Sequence, residues 1–77
     1  MKLREILEVV DGSEYDICCV TMLDEDDDAL MWLSFRIRDK HEIMRLGENI
    51  SEAEVKAITG DYDEDTNEMQ ICIKVRR

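Results

Sequence analysis

The sequence predicts an α+β domain in which one N-terminal helix packs on an antiparallel sheet of about four strands, in the order helix, strand, strand, crossover, strand, strand. Two observations predict it. Apolar residues at the start recur with helical spacing, and later segments alternate apolar and polar residues between acidic turns. A chain of 77 residues has room for one modest core, so residues 1–77 are expected to form a single domain.

The helix and the first strand follow from the first 22 residues. An apolar stripe at spacings i, i+3, i+4 and i+7 predicts a short amphipathic helix, with the residues Leu3, Ile6, Leu7 and Val10. Asp11 to Ser13 break this pattern and supply turn residues. The segment from Tyr15 to Met22 is rich in β-branched and small apolar residues, which predicts a largely covered strand.

The second strand follows the acidic run that ends at Asp28. Apolar and polar residues alternate from Met31 to Arg38, which is typical of a strand with one wet face. Between Asp39 and Ile50 the pattern is ambiguous, since Ile43, Met44 and Leu46 fit either a short helix ended by Gly47 or an irregular crossover.

The last hairpin is predicted from two alternating segments. Ser51 to Glu54 matches a helix capping box, but the alternation from Val55 to Thr59 favours a strand. Its partner is the alternating segment Met69 to Val75, and Asp61 to Asn67 would close the hairpin between them.

Negative charge is concentrated in two segments. The net charge is −10, and ten of the twenty acidic residues lie in segments 24–28 and 61–68, which contain no Lys or Arg. If strands one and three point the same way, both turns lie at one end of the sheet and the basic residues collect at the other. The candidate partner-binding residues are therefore Asp24, Glu25, Asp26, Asp27, Asp28, Asp61, Asp63, Glu64 and Asp65, together with Trp32.

Three interpretations of the acidic segments compete. They keep a small domain soluble and block edge pairing, or they dock on a basic surface, imitating the phosphates of a nucleic acid, or they bind a metal ion. Asp61, Asp63 and Asp65 occupy positions 1, 3 and 5 of a calcium loop, but Thr66 and Cys72 stand where such a loop needs glycine and glutamate. No metal site is predicted.

Trp32 belongs to the second strand, in the phase opposite to Leu33 and Phe35. Either it points outward as an exposed anchor, of the kind that dominates interface energetics, or it lies beneath the crossover segment. The second arrangement is slightly favoured.

Catalysis and cofactor binding have no sequence signature here. His41 is the only histidine and lies in a polar stretch, and Cys18 and Cys19 are adjacent, so a strand would point them to opposite faces. The basic residues are few and not interleaved with aromatics, which disfavours direct nucleic-acid binding. The absence of a long apolar run and of a signal peptide predicts a cytoplasmic protein without membrane contact.

The start Met1 to Gly12, with the short strand after it and the closing hairpin Val55 to Val75, resembles small acidic accessory proteins of phages and prophages of Gram-positive gut bacteria. The resemblance covers about half of the chain and includes no diagnostic motif. That group includes inhibitors of host defence, among them anti-CRISPR proteins that block nucleic-acid-binding surfaces. No residue carries over as a family site.

The expected function is a non-catalytic protein-binding module, of which a phage-encoded inhibitor is the sharpest form. Its acidic hairpin tips would contact a basic protein or nucleoprotein complex of a bacterial host cell. The alternative is an accessory domain that self-associates as a homodimer through an edge strand or the Trp32 face, with its acids serving only solubility, because a core this small gains stability by association.

Overall fold

Four strands form one mixed sheet in the computed structural model, which describes residues 1–10, 15–42 and 48–76. Their order across the sheet is β2-β1-β4-β3, and the predicted α+β class is confirmed. The strands are β1 (Ile17–Leu23), β2 (Ala29–Arg36), β3 (Glu54–Asp63) and β4 (Glu68–Arg76). The helices are α1 (Leu3–Val9) and the short α2 (Glu48–Ser51), with a 3-10 turn at Ile37–Asp39.

The two hairpins are antiparallel as predicted, but the central strands β1 and β4 run parallel to each other. The sheet is therefore mixed, and β3 runs opposite to β1. The reason is the path of the chain between β2 and β3, because this connection returns to the end of the sheet where β1 ends before β3 begins. The centre of the sheet is taken by the two strands with the most buried residues, β1 and β4.

The element boundaries show where local patterns were informative. Ile37 continues the apolar phase of β2 and is buried, but it belongs to the 3-10 turn and not to the strand. Ser51 ends α2 instead of starting a helix, and β3 begins at Glu54, so the strand interpretation was right. The predicted short helix around Ile43 to Gly47 lies outside the described residues.

The core lies between α1 and one face of the sheet. The helix contributes its predicted stripe, and alternate residues of the central strands contribute the other side. Burying these side chains is the main stabilising term for the domain. The buried apolar residues are Leu3, Ile6, Leu7, Val10, Cys18, Val20, Met22, Phe35, Ile37, Ala53, Ile71, Ile73 and Val75.

The N-terminus is tied to the start of β3. The backbone N–H of Leu3 donates to the carbonyl of Ala53 at 2.9 Å, and the N–H of Val55 donates to the carbonyl of Met1 at 2.8 Å. Glu52 lies between two cations, Lys2 Nζ at 2.6 Å and Arg4 Nε at 2.9 Å. The hydrogen bond from Lys2 is the main reason that the pKa of Glu52 lies below its ordinary value. These contacts fix α1 over the sheet.

The turn between β3 and β4 ends in a left-handed residue. Asn67 has φ 59°, a conformation that disfavours residues with a Cβ and that Asn tolerates better than most. We expect Asn67→Ala to lower the free energy of unfolding by about 1 kcal/mol and Asn67→Gly to leave it unchanged or raise it slightly. Urea denaturation of the three proteins measures this, and equal midpoints for the alanine and glycine variants would contradict the backbone explanation.

Candidate functional site

The two acidic turns lie at opposite ends of the sheet. The turn 24–28 follows the C-terminal end of β1, whereas the turn 64–67 precedes the N-terminal end of β4. Because β1 and β4 are parallel, from the pair Ile17 and Gln70 to the pair Leu23 and Arg76, the turns are separated by roughly 20 Å of strand at ~3.3 Å per residue. The predicted arrangement, with both acidic turns at one end of the sheet and the basic residues at the other, is therefore wrong.

Each acidic end of the sheet also holds an arginine. Arg76 forms an ion pair with Asp27 at the β1–β2 turn, and Arg36 Nη1 lies 2.5 Å from Glu68 Oε2 at the other end. The hydrogen bond to Glu68 raises the pKa of the Arg36 guanidinium. Basic residues of β2 and β4 therefore offset charge locally at both ends, where the sequence interpretation placed them together at one.

Several candidate acids have structural roles in the turns. Asp24 Oδ1 accepts hydrogen bonds from the backbone N–H groups of Asp26, at 2.8 Å, and Asp28, at 2.9 Å. Asp63 Oδ1 accepts in the same way from Asp65 at 3.0 Å. Such side-chain-to-backbone bonds are typical of Asx turns. Asp24 and Asp63 therefore shape the hairpins, and Asp27 is engaged by Arg76, so replacing any of the three would test folding as well as binding.

The other acids of the turns have no side-chain partner among the described residues. They are Glu25, Asp26, Asp28, Glu64 and Asp65, all of which are exposed. Asp61 and Asp63 lie within β3, which is longer than predicted, and Asp61 accepts a bond from the N–H of Tyr62. The acids free to meet a partner are thus a subset of the predicted ones.

Trp32 is exposed, with 72% of its surface accessible. It lies opposite Thr21 in the β1–β2 register, on the face of the sheet that does not carry the core. The slightly favoured prediction, that Trp32 lies beneath the crossover, was wrong, and the outward alternative is correct. A tryptophan so exposed leaves a large apolar area in water, which is the property of an interface anchor.

The face that carries Trp32, here called the open face, presents the residues that alternate with the core set. On β1 these are Ile17, Cys19, Thr21 and Leu23, which are only partly buried. The register shift between Met22 and Leu23 leaves one extra residue in β2, and Leu30 lines a shallow groove with Leu23 and Arg76. Leu30 is 65% exposed.

Four of these side chains define what we call the Trp32 surface: Thr21, Leu23, Leu30 and Trp32. Asp24 and Glu25 line the same groove as Leu23 and Leu30, so the acidic turn borders this surface. An apolar patch rimmed by charge is a common form of protein-binding site. Sequence reasoning found only Trp32. The composition of β1 predicted a largely covered strand, so it gave no signal for Thr21 and Leu23, and the bulge that exposes Leu30 had none either.

The three cysteines are free and differ in environment. Cys18 is fully buried in the core, and burial raises the pKa of its thiol from 9.0 to about 12. Cys19 and Cys72 lie opposite each other on the open face, in parallel register. Burial, with Cys19 nearby, also raises the pKa of Cys72. Of these three thiols, Cys18 is the one that fills core space.

The raised pKa of Cys18 predicts a loss of stability in alkali. Between pH 9 and 12 the unfolded thiol is ionised while the folded thiol keeps its proton, so the unfolded state gains free energy from ionisation that the folded state cannot. We expect the free energy of unfolding to fall by roughly 1 kcal/mol per pH unit in this range, and Cys18→Ala to reduce that slope. Urea denaturation at a series of pH values measures both, and parallel slopes would contradict the assignment.

Within the described ranges, no helix is long and apolar enough to cross a membrane. Over the same residues, no group of three or more His, Cys, Asp or Glu side chains is arranged to hold a metal ion.

Comparison with known proteins gives no match: no family model fits the sequence, and neither a curated protein nor a solved structure is significantly similar to it. The resemblance to small phage proteins stays a prediction.

Proposed function

We propose that this chain is a non-catalytic protein-binding module that contacts its partner through the Trp32 surface. The exposure of Trp32 is the observation that carries this proposal, because a tryptophan 72% accessible on a well-formed strand has no role in the core. Leu30, also largely exposed, and the half-buried Leu23 extend the apolar area beside it. Removing this area from water on binding would stabilise a complex.

The acidic turn beside the Trp32 surface indicates the chemistry of the partner. Glu25, Asp26 and Asp28 are exposed and without a side-chain partner in the described part of the chain. They would lie at the rim of the contact, where charges steer association and select partners more than they add affinity. The partner is therefore a protein, or the protein part of a nucleoprotein complex, with basic residues next to an apolar pocket.

A phage-encoded inhibitor of a nucleic-acid-handling complex is the narrower form of this function. It is supported by the net charge of −10 and by the run of five acids at 24–28. The position of the turns limits how the chain could imitate the phosphates of a nucleic acid, because two turns at opposite ends of the sheet do not form one row of charges. Contact with a nucleic-acid-binding groove would use the turn 24–28 with Trp32, and not both turns together.

The test is affinity capture from bacterial lysate at low and high salt with matched charge variants. One variant carries Asp26→Asn and Asp28→Asn, and its control carries Glu64→Gln and Asp65→Asn, so each removes two exposed charges and no turn-shaping side chain. We expect a basic protein to be retained at low salt by wild type and by the control, and to be reduced with the first variant. Equal retention by both variants would show that the turn 24–28 does not take part.

A further inference from the structure

The sheet has two edge strands, and they differ in how well they are protected against pairing. β3 carries Glu54, Lys56, Asp61 and Asp63, has a bulge at its start, and is bridged there by Lys2. Charges and bulges of this kind prevent edge-to-edge association. β2 has no charged residue from Ala29 to Phe35, and it exposes three consecutive apolar residues, Leu30, Met31 and Trp32. β2 is thus the unprotected edge.

The backbone of β2 is oriented for pairing. The N–H of Ile37, the residue after β2, points to the β1 side and donates to the carbonyl of Asp16, the residue before β1, at 3.0 Å. Because successive residues of a strand direct their N–H and C=O groups to opposite sides, the groups of Trp32, Ser34 and Arg36 point away from β1. These three residues lie beyond the bulge at Leu30, in a regular stretch of strand.

We propose that two copies of this chain form a dimer by antiparallel pairing of their β2 strands, which joins the two sheets into one of eight strands. A second copy satisfies the free backbone groups and covers the exposed apolar residues at the same time, as in other cases of strand addition. The pairing is isologous, with a two-fold axis perpendicular to the sheet. This inference does not rest on the proposed function.

The register follows from the outward-pointing residues. A two-fold axis at Ser34 pairs Ser34 with its own counterpart and pairs Trp32 with Arg36 of the second copy, so that all the free groups in the regular stretch are used. Trp32 and Arg36 then lie side by side on the open face, where a guanidinium and an indole attract each other. On the core face the same register places Leu33 opposite Phe35 and extends the two cores toward each other.

The charge pattern around β2 favours antiparallel pairing, and it favours a second copy of this chain as the partner at this edge. Acids precede the strand, at Asp26 to Asp28, and in the segment after Phe35 the cations Arg36, Arg38 and Lys40 outnumber the acids Asp39 and Glu42. Antiparallel pairing places the acidic end of each strand beside the basic end of the other, at both ends of the interface. A parallel arrangement would place like charges together and cost free energy.

The dimer leaves the open faces of both copies on the same side of the eight-stranded sheet. Both helices α1 lie on the other side. The Trp32 surfaces are then brought close to the two-fold axis, and their outer faces stay accessible to a further partner.

Sedimentation velocity of the full chain over a concentration series tests the dimer, at ~0.15 M salt, where the Debye length of about 8 Å screens the repulsion between two acidic molecules. Ser34→Pro removes the central outward N–H, and Ser34→Ala is its matched control. Trp32→Lys places a cation beside Arg36 of the second copy, and Ile58→Lys is its control on the other edge. We expect dimers for wild type and both controls, and monomers for Ser34→Pro and Trp32→Lys, with circular dichroism confirming that each is folded.

A charge exchange tests the orientation and does not depend on the proline variant folding. Asp28→Lys and Arg38→Glu are each expected to dimerise more weakly than wild type, since both ends of the interface then carry like charges. An equimolar mixture of the two is expected to form a heterodimer more tightly than either variant alone. A wild type that stays monomeric up to its solubility limit, dimers that survive Trp32→Lys, or a mixture no tighter than its components would overturn the inference.

Discussion

Replacing Leu7 by alanine is expected to lower the free energy of unfolding by about 2–5 kcal/mol, the range for deleting most of a buried leucine side chain. Leu7 is 1% exposed and lies in the middle of the stripe with which α1 covers the sheet. A core of this size supplies only ~3–5 kcal/mol of net stability, so this variant should be largely unfolded at 37 °C.

Val9→Ala is the matched control for Leu7→Ala. Val9 lies on the same helix but is 79% exposed, so the change removes little buried area and we expect an effect within about 0.5 kcal/mol. Urea denaturation followed by far-UV circular dichroism compares the two variants. Similar losses for both would mean that α1 contributes through its helical propensity and not through packing on the sheet.

Replacing Trp32 by alanine is expected to leave stability nearly unchanged and to weaken partner binding by at least ~30-fold, the effect of losing an anchor worth about 2 kcal/mol. The two properties separate because Trp32 lies outside the core of the domain, whereas its outer face would be covered in the partner complex. Isothermal titration calorimetry with the partner obtained by capture measures the affinity.

Two further variants make the Trp32 result specific. Ile58→Ala removes a half-exposed apolar side chain from the other edge strand and should bind normally. Thr21→Arg changes the centre of the open face, on β1, away from the edge that β2 would offer to a second copy. It should weaken partner binding without affecting the dimer. Normal binding by both Trp32→Ala and Thr21→Arg would remove the Trp32 surface from the account.

The elements of the fold were predictable because their signals are local. Apolar spacing identified α1, composition identified β1, and alternation identified the other three strands, including β3, where a capping box at Ser51 competed. The limits of β2 were less accurate, because Ile37 keeps the apolar phase after the strand has ended. Ile37 would be buried in a strand and is buried in the turn, so alternation alone does not distinguish the two arrangements.

The direction of the second hairpin was not predictable, and it changed the candidate site most. A hairpin's internal pairing is fixed by its own turn, but its orientation relative to the first hairpin depends on the path of the connection and on which strands occupy the centre. Placing β4 parallel to β1 separates the acidic turns and brings Arg76 to Asp27. Nothing in the local patterns around these residues carries that information.

For Trp32, alternation predicted the face of the sheet but not whether that face is covered. Alternation placed it opposite Leu33 and Phe35, as the structure has it. Coverage depends on where the helices lie, and in the described residues they lie on the other face. Likewise, only the structure distinguishes Asp24 and Asp63, whose side chains shape the turns, from the free acidic side chains beside them.

Hydrogen exchange of the backbone amides, with and without the captured partner, tests most directly whether the Trp32 surface is the binding site. We expect the partner to slow exchange in the segment 21–34, which includes the acidic turn and most of β2, and to leave the turn 64–67 unchanged. Slowed exchange at 61–68 with none at 21–34 would contradict this assignment and would place binding at the opposite end of the sheet.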